Sequence, residues 1–221
     1  MIFMDIKYIA NIRIPTPRAH GYAIMKMCEE FSLNGAGLEL IIPDKRNNES
    51  ESDPFVFYGI QKKFTIKNVF SLDFLGTQMR FGKLFYWIDI ISFFVSIKLL
   101  KATKKNDVIY TRDFLVPFLF RSKNLICLEL HDIPESNFLF NLAIKIPKLF
   151  FVLNNNLKKE LVKRGVPEEK IHIFPSGIDL KEFDINISKE EAREKIGFNK
   201  NKKIILYSGQ FYSWKGIDTI A

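Results

Sequence analysis

The feature that most constrains this chain is the regular alternation of short apolar, β-branched runs with segments of helical period. Apolar runs at 6–10, 38–42, 107–111, 125–130, 149–153, 170–174 and 203–207 are bounded by turn residues, and most are separated by helical patterns. Strands buried on both faces read as near-continuous apolar runs, and strands separated by helices pair in parallel. The expected fold is therefore α/β, a parallel sheet with helices on both faces. The helix expected from His20 and Gly21 onward carries Ile24, Met27, Cys28 and Phe31 at i, i+3, i+4 and i+7, and Asn34-Gly35 supplies its stop. Ser188-Lys189-Glu190-Glu191 is a capping box opening a helix that ends at Gly197. Between 43 and 80 the aromatics are scattered without a steady period, and no element is assigned there.

With 221 residues, 47% hydrophobic and 26% charged, the chain can bury a core, which excludes disordered and collagen-like classes. Its net charge of +8 admits an anionic partner, but the basic residues are not interleaved into a nucleic-acid-binding motif. Cys28 and Cys127 are too few for a disulfide framework and read as buried thiols of a reducing compartment. Asp5, Lys7, Arg13 and Arg18 interrupt any apolar leader in the first twenty residues, so the expected location is the cytoplasm. The run 84–100 (LFYWIDIISFFVSIKLL) is at the short limit for a membrane span and carries Asp89. Arg80, Lys83, Lys98, Lys101, Lys104 and Lys105 flank or enter it, which suits peripheral contact with an anionic membrane surface on the inner face of the cell membrane. The competing reading is a core helix whose lysines project into water.

The motifs narrow the chemistry. His20, His131 and His172 form no HxxxH or CxxC grouping, no GxSxG elbow is present, and no Asp-x-Asp anchor occurs, so no metal cofactor is expected. Gly35-Ala36-Gly37 precedes a strand instead of following one and is a helix stop, not a dinucleotide fingerprint. Gly21 stands at the first strand-to-helix turn, where helix N–H groups favour an anion; glycine there also serves plain packing. Glu129-Leu130-His131-Asp132 closes a buried strand, so His131 either hydrogen-bonds a substrate hydroxyl or is satisfied by a neighbouring carboxylate. Pro175-Ser176-Gly177-Ile178-Asp179 reads as a tight turn. In the loop from Ser208 through Gly209 and Gln210 to Lys215 and Gly216, the lysine can neutralise a diphosphate or simply face water.

Four segments stand in a telling order: DVIYTRD, LELHD, NNNLKKELVKRGVPEEKIHIFPSGIDLKEF and ILYSGQFYSWKGIDTI. Together they resemble the family-4 retaining glycosyltransferases of the GT-B fold. The resemblance implies two Rossmann-like domains facing a cleft, with residues 1–180 as the acceptor-side domain, 181–201 as a connecting segment and 202–221 as the first strand and loop of a truncated donor-binding domain. It implies transfer of a sugar from a nucleotide-diphosphate donor to a glycan or lipid-linked acceptor with retention, in cell-surface polysaccharide or glycolipid synthesis. His131 matches the histidine that reaches the donor sugar, and Gly21 the glycine beside the diphosphate. Lys215 matches the lysine on the diphosphate, with Gly209 and Gln210 in the same loop and Gln210 where the family often has arginine. His20, Arg112, Glu129 and Asp132 are read as acceptor-side or site-lining residues. The downstream Glu-x7-Glu region of the family is absent from these residues, so the expectation is a fragment inactive alone. The alternatives are a sugar-nucleotide epimerase of the same fold and a non-catalytic membrane-surface or partner-binding module.

Overall fold

The computed structural model describes residues 4–45, 51–61, 63–74, 82–99, 103–104, 107–120, 124–135, 137–184, 186–199, 201–209, 211–212, 215–216 and 219. Contacts divide the chain into two compact units, Met1–Ser176 and Gly177–Ala221.

The first unit is built on one parallel sheet of seven strands: β1 (Asp5–Ile9), β2 (Gly37–Pro43), β3 (Thr65–Val69), β4 (Val108–Thr111), β5 (Leu125–Leu130), β6 (Leu149–Val152) and β7 (Ile171–Ile173). Their spatial order is β3-β2-β1-β4-β5-β6-β7, so the direction of winding reverses between β1 and β4. In the ladders Tyr8 stands opposite both Leu40 and Tyr110, and Glu129 opposite Phe151.

Side chains that alternate along the strands feed two layers, which is why the runs are apolar throughout. On one face Ile6, Tyr8, Leu38, Leu40, Ile42, Val108 and Tyr110 pack with Ile24, Met25 and Cys28 of α1 (Ala19–Leu33) and Phe55 of the one-turn α2 (Pro54–Phe57). On the other, Ile9, Ile41, Ile109 and Ile126 meet Phe93 and Ile97 of α3 (Lys83–Leu99). Leu128, Leu130, Phe150 and Val152 meet Phe140 of α4 (Phe138–Ala143) and Leu161 of α5 (Asn155–Lys163). Cys28 and Cys127 are buried free thiols, the expected state, and burial raises the pKa of both, that of Cys127 to about 11.

The unassigned stretch does contain structure. Asp53 caps α2 by accepting from the N–H groups of Phe55 and Val56, and β3 adds to the edge of β2. An edge strand such as TIKNV has a single neighbour and half-exposed side chains, so its polar residues mask its period.

The second unit contains α6 (Leu180–Phe183) and α7 (Lys189–Lys195). Ser188 and Glu191 form the expected capping box, and Gly197 follows at a φ of 72°. The expected tight turn at 175–179 is not formed. Instead the carbonyl of Asp179 accepts from Phe183 N–H at 3.0 Å, so the residue opens α6. Residues 203–207, expected as a strand, join no ladder among the described residues, and Ile205 and Leu206 are exposed. A strand exists only through pairing, and an apolar run without a hydrogen-bonding neighbour has nothing to hold it extended.

The two sides of α3 carry opposite expectations for stability. Phe93→Ala, at a position with no exposed surface, should cost about 3–5 kcal/mol in urea unfolding, whereas Val95→Ala on the far side should change stability by no more than about 0.5 kcal/mol.

Candidate functional site

The carboxyl ends of β1, β4 and β5 meet where the winding reverses, the place at which open α/β sheets leave a crevice for ligands. Local hydrogen bonds shape each strand end. Thr111, fully buried, donates its hydroxyl to the Ile9 carbonyl at 2.8 Å and so ties β4 to β1. The same oxygen accepts from Asp113 N–H at 3.0 Å, and the Asp113 carboxylate accepts from Leu115 N–H at 2.9 Å. The chain thus turns immediately after Arg112 and leaves that guanidinium facing the end of β5.

There it meets Glu129, which is only 3% exposed. Arg112 Nη2 lies 2.7 Å from Glu129 Oε1, the Tyr110 hydroxyl donates to Oε2 at 2.7 Å, and His131 Nε2 is 2.6 Å from Oε1. Burial by itself raises the Glu129 pKa, but the hydrogen bonds from His131 and Arg112, the Arg112 charge and the Tyr110 hydroxyl outweigh it and hold the carboxyl below its usual range. Burial and the adjacent Glu129 charge push the Tyr110 phenol well above its ordinary value, so it stays a donor. An ionised carboxylate only accepts, so His131 Nε2 carries the hydrogen, and a neutral ring is left with Nδ1 as its acceptor.

At the head of α1 no side chain caps the helix and no acid stands in its first turn. His20 is on this turn, and burial together with the charges of Arg18 and Arg112 lowers its pKa below the ordinary 6.5. The loop leading in is held by Tyr58, whose hydroxyl accepts from Thr16 N–H at 2.7 Å and donates to Thr16 carbonyl at 2.9 Å. Gly21 packs against this clamp: a Cβ there would come within 2.5 Å of both Thr16 Cγ2 and the Tyr58 hydroxyl. Its N–H donates to the Arg18 carbonyl at 3.0 Å, which leaves Ala19 and His20 to present the outermost N–H groups of the helix. The α1 head is therefore an electropositive rim made of a helix terminus and two arginines.

Of the residues singled out in the sequence, His20, Arg112, Glu129 and His131 gather at this one edge, and Asp132 follows them exposed. Gly209 and Lys215 belong to the second unit, where Gly209 has a φ of 150° and Lys215 N–H donates to the Tyr212 carbonyl at 2.9 Å. Gln210 lies outside the described residues. Among the described residues no three His, Cys, Asp or Glu side chains converge. Sequence reasoning missed Tyr110 and Tyr58 as site-building residues. Tyr110 had a legible trace, because a tyrosine two positions before Arg112 on a strand points to the same face; Tyr58 is brought in by long-range packing alone.

No family model matches the chain. It is 37% identical over 70 residues to an uncharacterized glycosyltransferase of Methanocaldococcus jannaschii, a match covering 30% of this chain and 18% of that protein. Among solved structures it is similar to HepE of Anabaena in complex with UDP and glucose, with a TM-score of 0.54 and 12% identity over 88% of this chain and 50% of that one. It is likewise similar to the UDP-N-acetylglucosamine 2-epimerase of Rickettsia bellii, with a TM-score of 0.55 and 14% identity over 89% of this chain and 52% of that one. The chain thus spans about half the length of the solved proteins it matches. The seven-strand parallel sheet flanked by helices is a Rossmann-like domain of the GT-B kind.

The Glu129 cluster sets a pH dependence. A carboxyl whose folded pKa is depressed adds stability above its unfolded value, ordinarily 4.5, and loses it as the pH falls through the folded value. Glu129→Gln should cost about 3 kcal/mol at pH 7, since it leaves the Arg112 charge without its partner, and the gap from the parent chain should narrow below pH 4.5. Urea melts from pH 3 to pH 7 would read this, and a gap that stays constant would show that the folded pKa of Glu129 is no different from its unfolded value.

Proposed function

We propose that this chain is the acceptor-side domain of a family-4-type glycosyltransferase, which moves a sugar from a nucleotide diphosphate to a glycan or lipid-linked acceptor with retention of configuration. The observation that carries the reading is the Arg112–Glu129–His131 cluster beside the uncapped head of α1, at the winding reversal of a GT-B-like domain. The Methanocaldococcus glycosyltransferase and HepE with its bound UDP support it. In this reading the α1 head, with Arg18 and Arg112, faces the anionic part of the donor, and His131 accepts a sugar hydroxyl at Nδ1. Glu129 holds the His131 ring in that tautomer and is a positioning residue. For Lys215 and Gly209 a diphosphate-binding role is proposed on the resemblance of their loop alone. Attack on the face from which the diphosphate leaves needs no protein nucleophile, so the site acts by placement and charge stabilisation. No metal enters the proposed chemistry, and the proposed setting is cell-surface polysaccharide or glycolipid assembly on the cytoplasmic side of the membrane.

The test is product analysis with labelled nucleotide sugars and the complete polypeptide that the gene encodes. Transfer with the anomeric configuration of the donor kept supports the proposal; interconversion of the nucleotide sugar without acceptor favours the epimerase reading, which the Rickettsia structure motivates. His131→Ala should lower kcat/KM about a hundredfold or more while the protein still folds cooperatively, with a loss of about 1.5–3 kcal/mol for the donor taken from Glu129. Unchanged kinetics would remove His131 from the site.

A further inference from the structure

α3 is apolar on both of its sides. Its inward face is Asp89, Ile90, Phe93, Ser96 and Ile97, all buried. At 100° per residue, Leu84, Trp87, Ile91, Val95 and Leu99 fall within a band of about 120° on the opposite side. All five are open to solvent, with exposures of 64%, 39%, 55%, 48% and 76%. Lys98 is the charged residue within that band. The helix covers the core and Lys98 faces water, as one of the two expectations had it, but the outer side is otherwise mostly apolar. A helix that covers a sheet in water ordinarily presents a polar outer face, and a contiguous apolar band marks a surface that something covers.

Charge and length identify the occupant. The single acid of the 79–105 stretch, Asp89, is turned inward, where it pairs with the buried Lys45 and accepts from the Ser71 hydroxyl at 3.3 Å. The outer band therefore bears no negative charge, while six cations lie in the stretch that contains it. No helix among the described residues is long and apolar enough to cross a membrane. Leu, Ile and Val in one band, a Trp near one end, Lys98 among them and further cations next to them in the sequence are the pattern of a helix lying in the plane of a membrane interface. We infer that the outer face of α3 docks on an anionic bilayer surface, with Trp87, Ile91 and Val95 in the headgroup–acyl boundary and Lys98 against the headgroups. The first turns of α3 lie beside the carboxyl edge of the sheet, where Lys45 also bonds Asn11 Oδ1. The inference stands on this surface and does not depend on the glycosyl-transfer reading.

Sedimentation of the full chain with phosphatidylcholine vesicles, with and without about 30% phosphatidylglycerol, tests it. Retention should be at least about tenfold greater on the anionic vesicles and should weaken in high salt. Ile91→Glu/Val95→Glu should lower it about tenfold or more with the urea melt unchanged; Trp87→Ser serves as a second variant should the first melt early. No retention on anionic vesicles overturns the inference, as does retention that both variants leave intact. A concentration-dependent dimer in sedimentation velocity, abolished by the same substitutions and without vesicle binding, would instead assign the band to a second copy and equally overturn it.

Discussion

The buried carboxylate of Glu129 is the interaction on which the site edge depends. An ion withdrawn from water costs several kcal/mol unless donors surround it, and here three do. Those donors come from β4, the turn after β4 and the segment after β5, so satisfying one charge fixes three strand-end side chains at once. Arg112 cannot swing toward solvent without stranding Glu129, and His131 cannot rotate without giving up its bond to Oε1. The same arrangement leaves Arg112 Nε and the Tyr8 hydroxyl buried without a hydrogen-bond partner among the described residues, so the edge is rigid but not saturated.

A second constraint acts at the head of α1. The Tyr58 hydroxyl grips Thr16 through both backbone groups, and the pair occupies the space a side chain at position 21 would need. The close approach of Thr16 and Tyr58 therefore accounts for glycine at Gly21. Sheet, clamp and carboxylate each hold one element of the edge.

The two layers over the sheet differ in what they leave outside. α1 buries Ile24, Met25, Cys28 and Glu29 and leaves Glu30 exposed, whereas α3 has apolar residues left over after its inner face is filled. Stability of the fold needs only the inner set, because the outer set touches water. Its retention of Leu, Trp, Ile and Val is consistent with a use outside the fold.

Periodicity made the parallel α/β class, six of the seven strands, the main helices and the capping box at Ser188 legible in the sequence, because strand and helix repeats are local and survive in one dimension. β3 was not legible, since an edge strand is half polar, and 203–207 reads as a strand that pairing does not supply. His131, Glu129 and Arg112 could be nominated from their positions at strand ends. That Glu129 would be the common acceptor, that Tyr110 would join it, and that the outer side of α3 would be apolar were settled only in three dimensions. Hydrogen-bond partners, burial and the direction in which a helix faces are relations between segments far apart in the chain, and no local pattern encodes which segment will be the neighbour.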